Sequence, residues 1–192
     1  MIYFWIIYNM ILYLILNLII LTQASNKAIL ISSSLGFYNY RQGSNILKIY
    51  HHLKNKGFKD EDIILMLPEN GKCNLRNNKL GTISFYDGDH NDICKNVEVD
   101  YSHSDMKLTN VYNNLILKYP QFTLNSKRIK TDKDTNLLIY FSGHGGDDYF
   151  KLMEREAMLK EHLKSLTDYL SKNNLYSKLL LLSDSCSAST IF

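Results

Sequence analysis

Four short runs of apolar residues are the feature that most limits how this chain can fold. They cover residues 28–32, 63–67, 137–141 and 179–182, and each has the length of a strand. A continuous apolar run suits a strand that is covered on both faces, as strands of parallel sheets are. Segments with apolar residues at helical spacing lie between the runs, at 45–56, 109–119 and 157–172, and Gly57 follows the first of them as a predicted C-terminal cap. The alternation predicts an α/β domain with a mostly parallel sheet.

The first 21 residues carry no charge and are almost wholly apolar. Small residues follow them at the positions that precede a cleavage after Ala24, so the pattern predicts a signal peptide over residues 1–24. The stretch lacks a positively charged start and is long enough to span a bilayer, which keeps an uncleaved membrane anchor as the alternative. Both interpretations send residues 25–192 into the secretory pathway, and no repeat or linker divides these residues into two domains.

The charges and cysteines exclude two classes of protein. Lys and Arg number 22 against 19 Asp and Glu, and no basic run alternates with aromatic residues, so nucleic acid is not an expected partner. The three cysteines, Cys73, Cys94 and Cys186, are far apart and odd in number. Such a set does not form a closed disulfide framework, and in an oxidising compartment one cysteine stays unpaired within the chain.

Two of the predicted strands run directly into residues that carry chemistry. The run at 137–141 continues into Ser-Gly-His-Gly-Gly, which contains His144, and the run at 179–182 continues into Ser-Asp-Ser-Cys-Ser-Ala, which contains Cys186. In open α/β sheets, reactive groups gather beyond the carboxyl ends of the strands. A right-handed crossover through the helix at 157–172 makes these strands neighbours. The spacing therefore predicts that His144 and Cys186 form a catalytic pair in which the histidine activates a thiol.

The residues that flank the pair also suit a cysteine nucleophile. Glycines around His144 allow the backbone to approach a substrate carbonyl and offer N–H groups to an oxyanion. The residues after Cys186 are expected to open a helix, whose positive end favours a thiolate. A phosphate-binding interpretation of the glycines ranks last, because they lack the spacing of either phosphate-binding motif.

Short segments along nearly the whole chain after the leader resemble one family of enzymes. The sequence is similar to the GPI-transamidase branch of the legumain-like cysteine peptidases, which belong to the caspase-like clan. The matching segments are Phe37-Tyr38-Asn39-Tyr40-Arg41, Ile64-Leu65-Met66-Leu67, Cys73-Asn74-Leu75-Arg76-Asn77, Val97-Glu98-Val99-Asp100-Tyr101, Ser126-Lys127-Arg128, residues 136–146 and Asp184-Ser185-Cys186. Legumain itself shares the His-Gly and the cysteine but lacks the segments around Cys73 and Glu98, so the transamidase branch is favoured.

The resemblance implies a caspase-like three-layer sandwich with His144 and Cys186 as the catalytic dyad and Asn39 assisting the histidine. It implies an oxyanion hole made by the backbone N–H groups of Gly145 and Cys186. It also implies that Cys73 is crosslinked to another subunit. The residues alone leave open an internal Cys73–Cys94 disulfide or two thiols.

The resemblance further implies a calcium site. Its ligands would be Asp60, the Ile63 carbonyl, Glu98 and Asp100, which supply the hard oxygen atoms that calcium prefers. Judged by spacing alone, Glu98 and Asp100 would share one face of an alternating strand, and a solvated sheet edge explains such a pair as well.

The implied activity is the transfer of a proprotein acyl group to the amine of a GPI lipid in the endoplasmic reticulum, within a multi-subunit complex. A legumain-like endopeptidase and an inactive scaffold that only binds partners are the alternatives. The chain departs from the family pattern at Leu75, which replaces a proline, and at Ser187, which replaces a glutamine. Family members also continue beyond the cysteine with further strands and a membrane helix. The resemblance therefore implies that residues 25–192 are the N-terminal part of a caspase-like cysteine-peptidase domain, and we expect an exposed sheet edge and an unfinished substrate pocket.

Overall fold

The computed structural model of the protein describes residues 24–68, 75–77, 79, 82–83, 92–153 and 155–192. The predicted leader up to residue 23 and Cys73 lie outside these ranges. Within them, no helix combines the length and the apolar character needed to cross a membrane.

The described residues form seven strands and four α-helices that follow the predicted alternation. The strands are β1 (Asn26–Ser32), β2 (Ile63–Met66), β3 (Asn136–Ser142), β4 (Gly145–Gly146), β5 (Tyr149–Leu152), β6 (Glu156–Leu159) and β7 (Lys178–Asp184). The helices are α1 (Tyr40–Asn55), α2 (Leu108–Leu115), α3 (Lys160–Lys172) and α4 (Ala188–Ile191). All four predicted apolar strands are present, and Gly57 adopts a positive φ of 95° just beyond α1, as a C-terminal cap requires.

The main sheet is parallel and has the order β2-β1-β3-β7. β1 and β3 pair along their whole length, from Asn26 opposite Asn136 to Ser32 opposite Ser142. β3 and β7 pair in the same way, from Asn136 opposite Lys178 to Ser142 opposite Asp184. Strands β1, β3 and β7 therefore end side by side at the carboxyl end of the sheet, where the loops that follow them meet.

Side chains alternate between the two faces of this sheet and build a separate core on each. On one face, Ala28, Leu30 and Leu65 pack with Ile46 and Leu47 of α1. The other core lies under α2 and α3, and its members include Ile29, Ile31, Ile139, Val111, Leu115, Leu163, Leu166 and Leu170. Burying both faces explains why these strands read as continuous apolar runs. The result is the predicted three-layer α/β sandwich.

Strand β7 has a sheet partner on one side only within the described chain. On the face shared with α1, Leu180 remains 55% exposed and Leu182 remains 42% exposed. An edge strand with apolar side chains offers unpaired backbone groups and an uncovered surface. The expected exposed edge is therefore present.

Three predicted helix boundaries were wrong. The helix predicted at 157–172 begins at Lys160, because residues Glu156–Leu159 form β6 of a small antiparallel sheet with β4 and β5. The helix predicted at 109–119 ends at Leu115, and Leu117 takes a left-handed φ of 57° three residues before Pro120, which disfavours helix ahead of it. The helix predicted at 45–56 begins earlier, at Tyr40, where it continues a 3₁₀ turn.

Candidate active site

His144 and Cys186 occupy equivalent positions beyond two paired strands. Ser142 lies opposite Asp184 at the last register position of β3 and β7, and each reactive residue follows two positions later. The parallel pairing therefore places both residues at the carboxyl end of the sheet. His144 is half-buried, whereas Cys186 is exposed and carries a free thiol.

The loops that carry the two residues are tied together by backbone contacts. The Gly143 N–H donates to the Asp184 carbonyl at 3.2 Å. Further along, the Asp148 N–H donates to the Thr190 hydroxyl at 2.8 Å, so the turn after the histidine holds the turn after the cysteine. These bonds fix the spacing of the His144 and Cys186 segments independently of substrate.

Asn39 contacts the imidazole of His144 and determines its tautomer. The Asn39 Oδ1 atom lies 2.7 Å from His144 Nε2, and the Asn39 Nδ2 group donates to the Leu35 carbonyl at 2.5 Å. Because a carbonyl only accepts, the amide nitrogen must face Leu35 and the amide oxygen must face the histidine. His144 Nε2 therefore carries a proton that it donates to Asn39, which leaves Nδ1 to exchange protons. The structure thus brings Asn39 to the histidine.

The Gly145 N–H is directed away from its neighbouring strand. Lys151 N–H donates to the His144 carbonyl at 2.9 Å, so His144 and Lys151 form a hydrogen-bonded pair of the antiparallel ladder. Gly145 faces Phe150 at the next position, which in such a ladder is a non-hydrogen-bonded pair. A Cβ on Gly145 would lie 3.0 Å from the Cys186 carbonyl oxygen, which places the two predicted oxyanion donors on adjacent backbone.

Packing within the protein accounts for glycine at Gly143, beside the histidine. A Cβ at Gly143 would lie 2.0 Å from Ser33 Oγ and 2.9 Å from the Phe150 ring. A Cβ at Gly146 would lie 2.5 Å from the ring of Tyr149, which is exposed. That the glycines near His144 let the backbone approach a substrate carbonyl stays a prediction.

Replacing Gly143 by alanine is therefore expected to destabilise the fold by about 1–3 kcal/mol, the cost of overpacking a filled site. Urea unfolding followed by circular dichroism measures the change. Gly43→Ala is the matched control, because its Cβ would meet only Leu67 Cδ1 at 3.5 Å within helix α1. Equal unfolding midpoints for the two variants would contradict the packing argument, and adding Ser33→Ala should recover part of the Gly143→Ala loss.

The segment after Cys186 begins a helix, as expected. Helix α4 covers Ala188–Ile191, and Ser187 precedes it with a left-handed φ of 49°.

The predicted calcium ligands lie near one another, beside strand β2 and Tyr50 of helix α1. Asp100 is buried, and its Oδ2 atom accepts the Leu65 N–H at 2.8 Å. Burial raises the pKa of Asp100 to about 7, the Leu65 N–H opposes this, and the Glu98 and Asp60 carboxylates raise it further. The three acidic groups are thus close enough to repel one another.

Asp60 of the same cluster has two hydrogen-bond partners within the protein. The Asp60 carboxylate accepts hydrogen bonds from the Tyr50 hydroxyl and from Lys54 Nζ, the latter at 2.7 Å. The Lys54 hydrogen bond, followed by that from Tyr50, lowers the pKa of Asp60. Among the described residues, no three acidic, histidine or cysteine side chains already form a metal-binding group. The carboxylate and carbonyl oxygens of the predicted set fit calcium by their chemistry.

The backbone around these acidic residues also differs from the prediction. Residues 97–100 do not form a strand, and only Tyr101 makes an isolated parallel bridge with Met66. Glu98 is exposed whereas Asp100 is buried, so the two do not share one solvated edge. Ile63 begins β2 and is buried, and its N–H donates to the Asp60 carbonyl.

The predicted intersubunit cysteine, Cys73, lies outside the described residues, and Cys94 is half-buried. The choice between a crosslink and an internal disulfide therefore stays a prediction.

Sequence reasoning missed a polar cluster at the ends of the two strands that carry His144 and Cys186. Asp184 Oδ2 accepts from Asn45 Nδ2 at 2.8 Å and from Ser142 Oγ at 3.1 Å. The available signal was a charged residue, Asp184, just after the apolar run at 179–182 at the carboxyl end of β7. Asn45 gave none, because asparagine on a helix face is unremarkable.

Comparison with known proteins agrees with this geometry. The model of the peptidase C13 family matches residues 26–192. The putative GPI-anchor transamidase of Caenorhabditis elegans is 34% identical over 170 residues, which cover 88% of this chain and 53% of the relative. The GPI-anchor transamidase of Saccharomyces cerevisiae is 34% identical over 176 residues, with coverage of 91% and 43%. The human GPI-anchor transamidase is 32% identical over 171 residues, with coverage of 88% and 43%.

The chain thus spans about half the length of the curated relatives that it matches. The family match extends from the start of β1 through the residues after Cys186, so it includes both strand ends that carry the reactive pair. A parallel sheet with a histidine and a cysteine beyond neighbouring strands, matched over this range, leads to one classification: the chain belongs to the peptidase C13 family, a family of cysteine peptidases.

Proposed function

We propose that this chain is the catalytic part of a GPI-anchor transamidase that works through a thioester on Cys186. The observation that carries the proposal is the placement of His144 and Cys186 at equivalent positions beyond paired strands, with Asn39 holding His144 Nε2 at 2.7 Å. The names of the relatives from nematode, yeast and human support the choice of reaction within the family.

In the first half of the reaction, His144 Nδ1 takes the thiol proton and Cys186 Sγ attacks the carbonyl carbon of the attachment residue. The resulting oxyanion lies against the N–H groups of Gly145 and Cys186, and donors of this kind contribute about 10²–10³-fold in rate each. The C–N bond then breaks, and His144 returns its proton to the departing amine. The C-terminal signal peptide leaves, and the proprotein stays bound as a thioester.

In the second half, the amine of the GPI ethanolamine attacks the thioester carbonyl. His144, now neutral, accepts the proton that the amine loses, and the Cys186 thiolate leaves. An amide bond replaces the thioester, and His144 returns the amine's proton to the Cys186 sulfur, so that the enzyme regains its starting thiol and neutral imidazole. Asn39 keeps the imidazole in one tautomer throughout, so Nδ1 performs every proton transfer.

The proposed setting follows from the same assignment. The substrates are proproteins with C-terminal signal peptides and the GPI lipid, and the partners are the other subunits of a GPI transamidase complex in the endoplasmic reticulum. Cys73 is proposed to crosslink to one of these subunits. Residues 1–24 would deliver the chain to that compartment as a signal peptide or anchor.

A product assay tests the proposed reaction. The chain, alone and in complex with co-expressed partner subunits, is incubated with a proprotein peptide and hydroxylamine as a small amine acceptor. Acyl transfer yields the peptide hydroxamate, which mass spectrometry separates from the free acid. Hydroxamate that depends on Cys186 is the expected product.

Other products would overturn the proposal in distinct ways. Free acid at every hydroxylamine concentration would mean that water resolves the thioester, as in an endopeptidase. Failure of a thiol-directed peptide probe to label Cys186 would mean that the site does not assemble, as in a binding scaffold.

We also propose that calcium has a structural role in this chain. Asp60, Glu98, Asp100 and the Ile63 carbonyl would hold it, and its charge would offset the repulsion among the three carboxylates. Support comes from the buried Asp100 carboxylate and from the two acidic groups near it. Bound calcium would join residues 98–101 to the start of β2, behind the catalytic edge.

Adding calcium is expected to raise the melting temperature of the chain by several degrees, because a ligand that binds only the folded state stabilises it by mass action. Thermal unfolding in calcium and in chelator measures this shift. Asp100→Asn should remove most of the shift, whereas Asp134→Asn, an exposed control, should keep it. An identical calcium shift in the Asp100→Asn variant would contradict the site.

A further inference from the structure

We propose that Asp184 is a positioning residue that holds the Cys186 loop against the His144 loop by joining three elements of the fold. The inference rests on the proposed cysteine chemistry and adds a residue that the mechanism above does not use. Asp184 is the last residue of β7 and precedes the nucleophile by two positions. Its side chain belongs to the sheet face that α1 covers.

The first connection joins β7 to helix α1. Asn45 Nδ2, in the second turn of that helix, donates to Asp184 Oδ2 at 2.8 Å. Asn39, which contacts His144, immediately precedes the same helix. The Asn45 bond therefore fixes the helix that carries the histidine's partner relative to the strand that carries the nucleophile.

The second connection joins β7 to β3. Ser142 is fully buried, and its hydroxyl donates to the same Asp184 oxygen at 3.1 Å. The Asp184 carbonyl accepts the Gly143 N–H at 3.2 Å. Asp184 thus contacts the two residues that precede His144 through its side chain and its backbone.

A carboxylate suits this place because both side-chain groups that reach it are donors. An ionised carboxylate only accepts, and hydrogen bonds to a charged acceptor are stronger than those between neutral groups. Its position is also set by three elements at once, so losing it would release the β3 and β7 ends together. Small displacements of reacting groups cost large factors in rate.

Alkylation of Cys186 by iodoacetamide tests the inference without any substrate. The chain carries Cys73→Ser and Cys94→Ser so that one thiol remains, and the rate is measured between pH 5 and 9. In the parent protein, alkylation of Cys186 is expected to remain fast at low pH. The His144→Ala variant should lose this fast reaction at low pH. Asp184→Ala and Asn45→Ala should each lower the rate at pH 7 by about tenfold and move the profile toward that of a free thiol.

A swapped pair separates positioning from charge. Asn45→Asp alone places two carboxylates face to face and should be the slowest variant. Combining Asn45→Asp with Asp184→Asn reverses donor and acceptor, restores the bond between α1 and β7, and should return the profile to within about twofold of the parent. A swap that stays as slow as Asp184→Ala would overturn the positioning role.

Two controls complete the experiment. Leu166→Ala removes a fully buried core side chain on the sheet face opposite to Asp184, so it lowers the melting temperature and should leave the alkylation profile unchanged. Asp134→Ala removes an exposed carboxylate and should change neither. If alkylation of the parent protein at low pH does not depend on His144, the proposed dyad is refuted. If the parent shows fast alkylation that depends on His144 and Asp184→Ala has the same pH profile as the parent, only the inference about Asp184 is refuted.

Discussion

Cys186→Ala is expected to abolish acyl transfer, because no other group of the described site can form the thioester. Loss of the nucleophile in a comparable serine enzyme costs on the order of 10⁶-fold in turnover. Hydroxamate formation from a proprotein peptide should therefore fall to background. Substrate binding should persist, since the alanine removes one exposed sulfur atom and leaves the strands intact.

The control for this variant is Cys94→Ala, which changes a half-buried cysteine in a different part of the fold. It should retain transfer within about twofold, because it removes no group that touches the reacting atoms. Transfer that survives in Cys186→Ala would refute the thioester mechanism. Equal losses in both variants would instead indicate a general effect on folding.

His144→Ala is expected to lower turnover by roughly 10³-fold, the scale of general acid–base catalysis. Asn39→Ala keeps the imidazole but removes the acceptor at 2.7 Å from Nε2, so the tautomer is no longer fixed. Its loss should be smaller, about 10²-fold, as for a misplaced catalytic group. Single-turnover kinetics with a peptide ester and a peptide amide measure both variants.

The two substrates show which step each residue serves. An ester leaving group needs less protonation than an amine, so His144→Ala should be less damaging with the ester than with the amide. Asn39→Ala should likewise lower turnover less with the ester than with the amide, and both losses should be smaller than those of His144→Ala. Equal effects of His144→Ala on ester and amide would argue against its role as the proton donor to the leaving amine.

The placement of His144 and Cys186 beyond neighbouring strand ends was predictable because it depends on chain order and strand pattern. Two continuous apolar runs ended in a histidine and a cysteine, and parallel strands joined by one crossover place their carboxyl ends together. The register bears this out, since Ser142 lies opposite Asp184. The small β4-β5-β6 sheet was not predictable in the same way, because its strands have two to four residues and Leu159 continues into a helical pattern.

The sequence indicated which residues lie near the site, but it did not indicate which contacts require them there. Gly143 was correctly noticed beside the histidine, but the side chains that require it are Ser33 and Phe150, which come from different strands or strand ends. Sequence spacing carries no information on such contacts, because they arise only when distant segments pack. The same holds for Asp100, whose burial and raised pKa depend on its place beside β2.

The sequence by itself determined the parallel sheet, the two helical layers and the strand ends that hold His144 and Cys186, because local periodicity and chain order govern all three. Only the tertiary structure decided the tautomer of His144, through an asparagine 105 residues away in the chain. It alone also assigned Asp184 two donors, one from α1 and one from β3. Hydrogen bonds between side chains of distant segments need three-dimensional proximity, which sequence periodicity does not encode.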